Sequence, residues 1–273
     1  MIKKTEQAAA QPQKPKQKER KKWRLGACAA IVLLCAVSAV YASEVRSAEV
    51  VARKRELPVY CVERDDNKIS ISFDAAWGGD KTMKILDILD EYEVKTTFFL
   101  VDIWTQKYPD LVKEIVARGH EIGNHSTSHP QMSKLSADKI SQELKIMSDN
   151  VEALTGIRPT LFRPPFGDYD NEVVLTARRD GYEVVQWSVD SLDWKNRGVS
   201  DLVNRATRNV KSGDIILFHN DSQYIADALA SVLKYYKEQG FTVVPISEIL
   251  LSGETVIDTQ GRQKPAATTI PEV

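Results

Sequence analysis

KISISFDAAWGGDKTMKILDILDEYEVKTTFFLV, residues 68–101, reads as a strand, a helix and a second strand in succession. Lys68–Phe73 alternates polar and apolar residues with the period of a β-strand. Met83, Ile85, Leu86, Ile88 and Leu89 recur at helical spacing within Lys81–Tyr92. Thr97–Val101 is rich in aromatic and β-branched residues, the composition of a buried strand. Two strands joined through a helix pair in parallel by a right-handed crossover.

The same alternation continues downstream. Helices are expected over Tyr108–Arg118, Ser136–Thr155, Asn171–Asp180, Ser200–Val210, Ile225–Gln239 and Ile246–Leu251. Strands are expected at His120–Gly123, Thr160–Phe162, Tyr182–Ser188, Asp214–Phe218 and Phe241–Pro245. About seven βα repeats within residues 67–251 predict an α/β fold, a distorted (β/α)7 barrel of parallel strands. The tail Ser252–Val273, rich in Thr, Pro, Gly and Gln, is expected to be disordered.

Upstream, the chain changes character twice. Residues 1–24 carry nine Lys and Arg against two acidic residues, so +7 of the net −1 sits there and −8 is left on the remainder. An acidic body argues against nucleic acid as a partner. Residues 25–42, LGACAAIVLLCAVSAVYA, hold no charge. A helix of that length spans about 27 Å, close to the apolar thickness of a bilayer. The segment is expected to cross the membrane with the basic end cytoplasmic, or to be a signal cleaved near Ala42. Residues 43–66 then read as an extracytoplasmic stalk with an opening strand around Val59–Val62. Cys61 is the single thiol after the apolar segment, which leaves the exported body without an internal disulfide.

Parallel α/β folds keep their chemistry at the C-terminal ends of the strands. Asp74 follows the first strand, His125 and His129 the third, Arg163 the fourth, Asp190 and Asp193 the fifth, and His219 the sixth. His125 and His129 lie four apart, so on one helical turn or in a tight loop their rings share a side, as two metal-ligating imidazoles do. Asp74 suits a carboxylate base or a third ligand. Arg163 can pair with a carboxylate, and Asp193 can hold His219 as a general acid. Such a set describes metal-assisted hydrolysis of an amide or ester.

In motif order the chain resembles the NodB-type polysaccharide deacetylases, the family-four carbohydrate esterases. The motifs are Ser72-Phe73-Asp74-Ala75, His125-Ser126-Thr127-Ser128-His129, Arg163-Pro164-Pro165-Phe166-Gly167, Asp190-Ser191-Leu192-Asp193-Trp194 and Leu217-Phe218-His219. The SFDAAWG opening with the basic head and apolar segment is most similar to the PdaB-like, sporulation-associated subgroup. The resemblance implies Asp74 as base, oriented by Arg163, and His125 and His129 as ligands of a divalent metal, zinc first, with cobalt or another divalent ion as alternatives. It implies His219 as acid, tuned by Asp193. The Phe166 backbone N–H would serve the oxyanion, and Trp194 and Leu217 would line the acetyl pocket. The implied partner is an N-acetylated glycan, peptidoglycan-like or a chitooligosaccharide.

One position departs from the motif: Ala75 stands where the family carries a second Asp that binds the metal. That leaves two readings, an exported N-deacetylase and a glycan-binding relative with impaired catalysis. Restoring Asp at position 75 is expected from the motif to tighten metal binding.

Overall fold

In the computed structural model, residues 34–38 and 55–266 are described. Of the apolar segment at 25–42 only the exposed helical stretch 34–38 belongs to them, and the rest of that expected membrane segment lies outside the described residues. Among the described residues no helix is long and apolar enough to cross a membrane.

The described residues 55–266 belong to one compact unit. After β1 (Cys61–Val62) and β2 (Lys68–Ala75) come α1 (Thr82–Glu91), β3 (Thr97–Leu100), α2 (Asp102–Lys107), α3 (Pro109–Ala117) and β4 (Glu121–Asn124). The chain continues through α4 (Ala137–Thr155), β5 (Leu161–Phe162), α5 (Asn171–Arg179), β6 (Glu183–Val184) and β7 (Val189–Asp190). It then runs through α6 (Val199–Thr207), β8 (Ile215–His219), α7 (Ile225–Glu238), β9 (Thr242–Val243) and α8 (Ile246–Ile249). The main sheet is parallel throughout, in the order β6-β5-β4-β3-β2-β8-β7, with β9 against the start of β2.

This is the expected α/β fold, a curled parallel sheet consistent with a (β/α)7 barrel. It is open between β6 and β7, which lie at the two ends of the strand order. The single strand expected over Tyr182–Ser188 is therefore two short ones. The Val185 N–H still bonds to Phe162 O on the β5 side, the Gln186 N–H turns to Val59 O, and the Ser188 N–H reaches Ile215 O on β8. Residues 185–188 cross the opening, and Val59 and Cys61 bridge Val185 and Asp214 below it.

Alternation along β2 sets the layers. Ile69, Ile71, Phe73 and Ala75 lie in the apolar layer with α1, α6 and α7, where Phe73 stacks between Phe98 and Phe218. Ser70, Ser72 and Asp74 occupy the alternate positions. Gly123 on β4 has to be glycine: a Cβ there would lie 2.3 Å from the Phe99 ring. Phe99 in turn supports the buried arginine of the site.

Two expected boundaries are corrected. Residues 55–66 are part of the folded body rather than a stalk, with Val59 and Val62 fully buried. The tail is not disordered from Ser252: Thr255–Ile257 and Arg262–Pro265, here β10 and β11, form a hairpin, and β11 pairs in parallel with β1. The Asp258 carboxylate accepts from the Gln260 and Arg262 N–H groups, and Gly261 turns at φ 79°. The tail's polar composition hides this because its partner strand is about 200 residues away. Residues 267–273 lie outside the described residues.

Candidate active site

Strand ends bring the expected residues to one cleft of about 580 Å³, lined by Asp74, His125, His129, Phe166, Trp194, Leu217 and His219 among others. Arg163 and Asp193 lie beneath it, both buried. Asp74 and His219 are register neighbours on β2 and β8, so a carboxylate and an imidazole stand side by side at the strand exits.

The carboxylate is held by a buried guanidinium. Arg163 Nη1 donates to Asp74 Oδ1 at 2.7 Å, and Nη2 donates to Gln186 O at 3.1 Å. The guanidinium lies 4.1 Å from the Phe99 ring centroid and 5.8 Å from that of Trp187. Burial pushes the Asp74 carboxyl up, but the Arg163 charge and the neighbouring imidazoles outweigh it, and the net direction is down. Asp74 is thus an ionised proton acceptor at neutral pH.

The imidazole opposite is held for the reverse task. His219 Nδ1 donates to Asp193 Oδ1 at 2.8 Å, and the His219 N–H donates to Asp193 Oδ2 at 2.8 Å. This leaves Nε2 as the ring nitrogen not engaged by Asp193. Burial pulls the His219 pKa down, but the Asp193 bond and the charges of Asp193, Asp74 and Asp190 raise it overall. Asp190 lines the cleft and caps the intervening turn by accepting from the Leu192 N–H.

His125 and His129 sit in a tight loop, not on a helix, with ring centroids 5.1 Å apart. Ser126 and His129 adopt φ 71° and 57°, a left-handed backbone that non-glycine residues rarely take. Glu143 on α4 holds the loop there: its carboxylate accepts from the Thr127 and Ser128 N–H groups and from the Ser128 hydroxyl, and its carbonyl accepts from Thr127 Oγ1. No spacing in the sequence marks Glu143, which is a loop-positioning residue. Asn124 adds its Oδ1 to the Ser126 N–H.

The His125 Nδ1–H donates to Arg163 O at 2.7 Å, which fixes the tautomer and leaves a lone pair on Nε2, 3.5 Å from Asp74 Oδ2. Burial lowers the pKa of both rings; burial first, and then the His125 charge, take His129 to about 4. Two neutral imidazoles on one side of the cleft fit a divalent ion that takes nitrogen ligands. The donor set stops there: among the described residues no three His, Cys, Asp or Glu side chains gather to hold a metal. Ala75 does not line the cleft; its methyl is fully buried in the apolar layer. Asp80, the neighbouring acid on the sequence, is exposed and absent from the cleft lining.

Of the residues expected against substrate, Phe166 and Trp194 are exposed on the rim and Leu217 is buried at the base. Phe166 has φ 60°, and its ring meets His129 at 4.4 Å between centroids. Trp187, Trp77, Asn220, Asp221 and Ser222 also line the cleft and were not singled out from the sequence as site residues.

A bound divalent ion would supply polarisation of a carbonyl and acidification of water. Of the chain's own groups, the Asp74 carboxylate is placed to accept a proton and His219 Nε2 to donate one.

Known proteins match this chain in sequence and in fold. Residues 62–185 match the polysaccharide deacetylase family. The chain is 38% identical over 194 residues to a Bacillus cereus peptidoglycan-N-acetylglucosamine deacetylase, covering 69% of this chain and 91% of that protein. A Bacillus anthracis protein described as a CE4 family pseudoenzyme has the same fold, with TM-score 0.68 and 34% identity over 70% of this chain and 68% of that one. A mutant of it, described as having restored enzymatic activity, matches with TM-score 0.68 and 35% identity over 70% of each chain. The chain belongs to the polysaccharide deacetylases of carbohydrate esterase family 4, hydrolases of N-acetyl amide bonds.

Proposed function

We propose that this chain is an exported, divalent-metal-dependent N-deacetylase that releases acetate from an N-acetylated cell-wall or spore glycan, peptidoglycan-like or a chitooligosaccharide. The observation that carries the reading is the pair Asp74 and His219, register neighbours on adjacent strands, each tied to its own buried counter-ion. A protein that only binds glycan needs neither a base held ionised nor an acid held protonated. In this reading His125 and His129 hold the metal, zinc first, Arg163 orients the base, and Asp193 sustains the acid. The Phe166 N–H meets the oxyanion, and Trp194 and Leu217 enclose the acetyl methyl. The basic head, the apolar segment 25–42 and the SFDAAWG opening support export and a PdaB-like role in sporulation.

A second reading, a glycan-binding relative with impaired catalysis, is favoured by one observation: position 75 supplies no ligand and faces the apolar layer. The structural likeness to a protein described as a pseudoenzyme points the same way.

The test is zinc content with acetate release from an N-acetylglucosamine oligomer. His125→Ala and His129→Ala are expected to lose bound zinc and acetate release together while remaining folded. Unchanged zinc stoichiometry in both variants would place the metal elsewhere. For export, a periplasmic-type reporter fused after residue 66 is expected to be active only outside the cytoplasm, and cytoplasmic activity would contradict the placement.

A further inference from the structure

A cavity of about 350 Å³ outside the cleft is lined by four cationic side chains, Arg205, Arg208, Lys211 and Arg262, against two carboxylates, Asp190 and Asp214. Asp190 is the residue common to this lining and that of the cleft. The chain beyond residue 24 carries −8, so this gathering of positive charge runs against the background.

Three separate pieces of chain meet at the cavity. Arg205 lies on α6 and Arg208 just beyond its end, Lys211 stands in the turn before β8, and Arg262 is on β11. Arg262 is the register neighbour of Cys61, whose buried side chain also lines the cavity. The turn closes onto β1: the Val62 N–H donates to Gly213 O at 2.9 Å, and a Cβ at Gly213 would lie 1.8 Å from Val62 O. Glycine at φ 85° therefore seats the Lys211 turn against the strand that pairs with Arg262.

The two carboxylates leave these cations without a counter-ion. Asp214 is buried and spent on neutral donors, Oδ1 accepting from Ser188 Oγ at 2.8 Å and Oδ2 from the Lys211 N–H at 2.7 Å. Asp190 Oδ1 accepts from the Leu192 N–H at 2.8 Å. Arg205 pairs with Asp201 at 2.8 Å. Arg208, Lys211 and Arg262 have no ion pair among the described residues, and Arg262 Nη1 reaches only Val62 O, at 3.5 Å. Arg64, Arg118, Arg158, Arg163, Arg178 and Arg179 each have a carboxylate partner, so pairing is the usual state of an arginine in this protein. Like charges drawn to one cavity repel one another and focus a field that an anion relieves.

The donors set the kind of anion. Two guanidinium forks and an ammonium on different elements call for acceptor oxygens on several sides. A carboxylate or a phosphodiester has too few free oxygens to meet them all. A phosphomonoester or inorganic phosphate has three or more, with a charge near −2 at neutral pH. We propose that Arg208, Lys211 and Arg262 form a binding site for a phosphate group with three free oxygens, as a phosphomonoester or as inorganic phosphate. The forks of Arg208 and Arg262 take the oxygens, and Lys211 adds its point charge.

Titration calorimetry on the full chain, with a chelator present to keep metal out of the cleft, compares glycerol 3-phosphate, inorganic phosphate, dimethyl phosphate and acetate. Glycerol 3-phosphate is expected to bind at least roughly 10-fold more tightly than dimethyl phosphate or acetate. Arg208→Ala and Arg262→Ala are each expected to weaken it roughly 10-fold, and Arg208→Lys, which keeps the charge without the fork, by less. Arg208 is exposed, so the urea midpoint of Arg208→Ala should match wild type and separate lost binding from lost structure. His125→Ala, in the cleft, is expected to bind the ester as wild type does. Equal affinity for inorganic phosphate supports the site with the ion as its ligand, and tighter binding of glycerol 3-phosphate supports it with an ester. No binding of either by wild type would overturn the proposal. Unchanged affinity in both Arg208→Ala and Arg262→Ala would also overturn it, by placing the phosphate elsewhere on the chain, the basic residues 1–24 included. Dimethyl phosphate binding as tightly as glycerol 3-phosphate would overturn the assignment of a three-oxygen ligand.

Discussion

Asp74→Asn is expected to lower acetate release by roughly 10²–10⁴-fold, the usual effect of removing a positioned proton-transfer group. The amide keeps an oxygen for Arg163 Nη1 but cannot take a proton from water. The loss should fall on kcat, because Asp74 acts on the attacking water rather than on the sugar. The pH profile of the wild type carries the same assignment. Asp74 is held below the ordinary carboxylate range, so it stays ionised as pH falls and the acid limb lies low. The His219 pKa is raised, so its acid form persists above the ordinary imidazole value and the alkaline limb moves up. Activity is thus expected to plateau across neutral pH. A variant that loses oligomer binding in proportion to turnover, with turnover per bound oligomer unchanged, would remove Asp74 from the role of base.

Ala75→Asp is expected to destabilise the fold by roughly 2–5 kcal/mol, the cost of burying a polar group without partners. Ala75 is fully buried, belongs to the apolar layer that holds Phe73, and does not line the cleft. Urea unfolding of the metal-free variant should show a lower midpoint with an unchanged slope. Zinc affinity by chelator competition is expected to match the wild type. This reverses the outcome that the motif alone suggests, in which a restored carboxylate tightens the site. Tighter zinc binding by the variant would show that the end of β2 can turn position 75 into the cleft.

The reason for that reversal was present in the sequence. KISISFDA alternates, so residue 74 and residue 75 point to opposite faces wherever the strand runs through both. The strand does run through Ala75, which pairs in register with Leu100. Motif adjacency argued for two neighbouring acids on one metal, and period-two geometry argues against it for this backbone. Strand exits were legible because apolar runs ending in Asp, His or Arg are local features. Glu143 was not, since its task is to meet the N–H groups of Thr127 and Ser128 across 15 or more residues, and a single Glu on an amphipathic helix looks like a solvated one. The hairpin at Thr255–Pro265 was missed for a related reason: its pairing with Cys61–Val62 spans nearly the whole body, and no local pattern reports it.

A site with two imidazoles and no carboxylate as third ligand is expected still to support deacetylation by Asp74 and His219. This is tested most directly on the wild-type chain, stripped of metal and then titrated with zinc, by following oligomer binding and acetate release in the same samples. Oligomer binding is expected throughout, with acetate release that is absent without metal and rises with zinc to a plateau. Oligomer binding with no acetate released at any zinc concentration would contradict this and identify the chain as a glycan-binding member of its family.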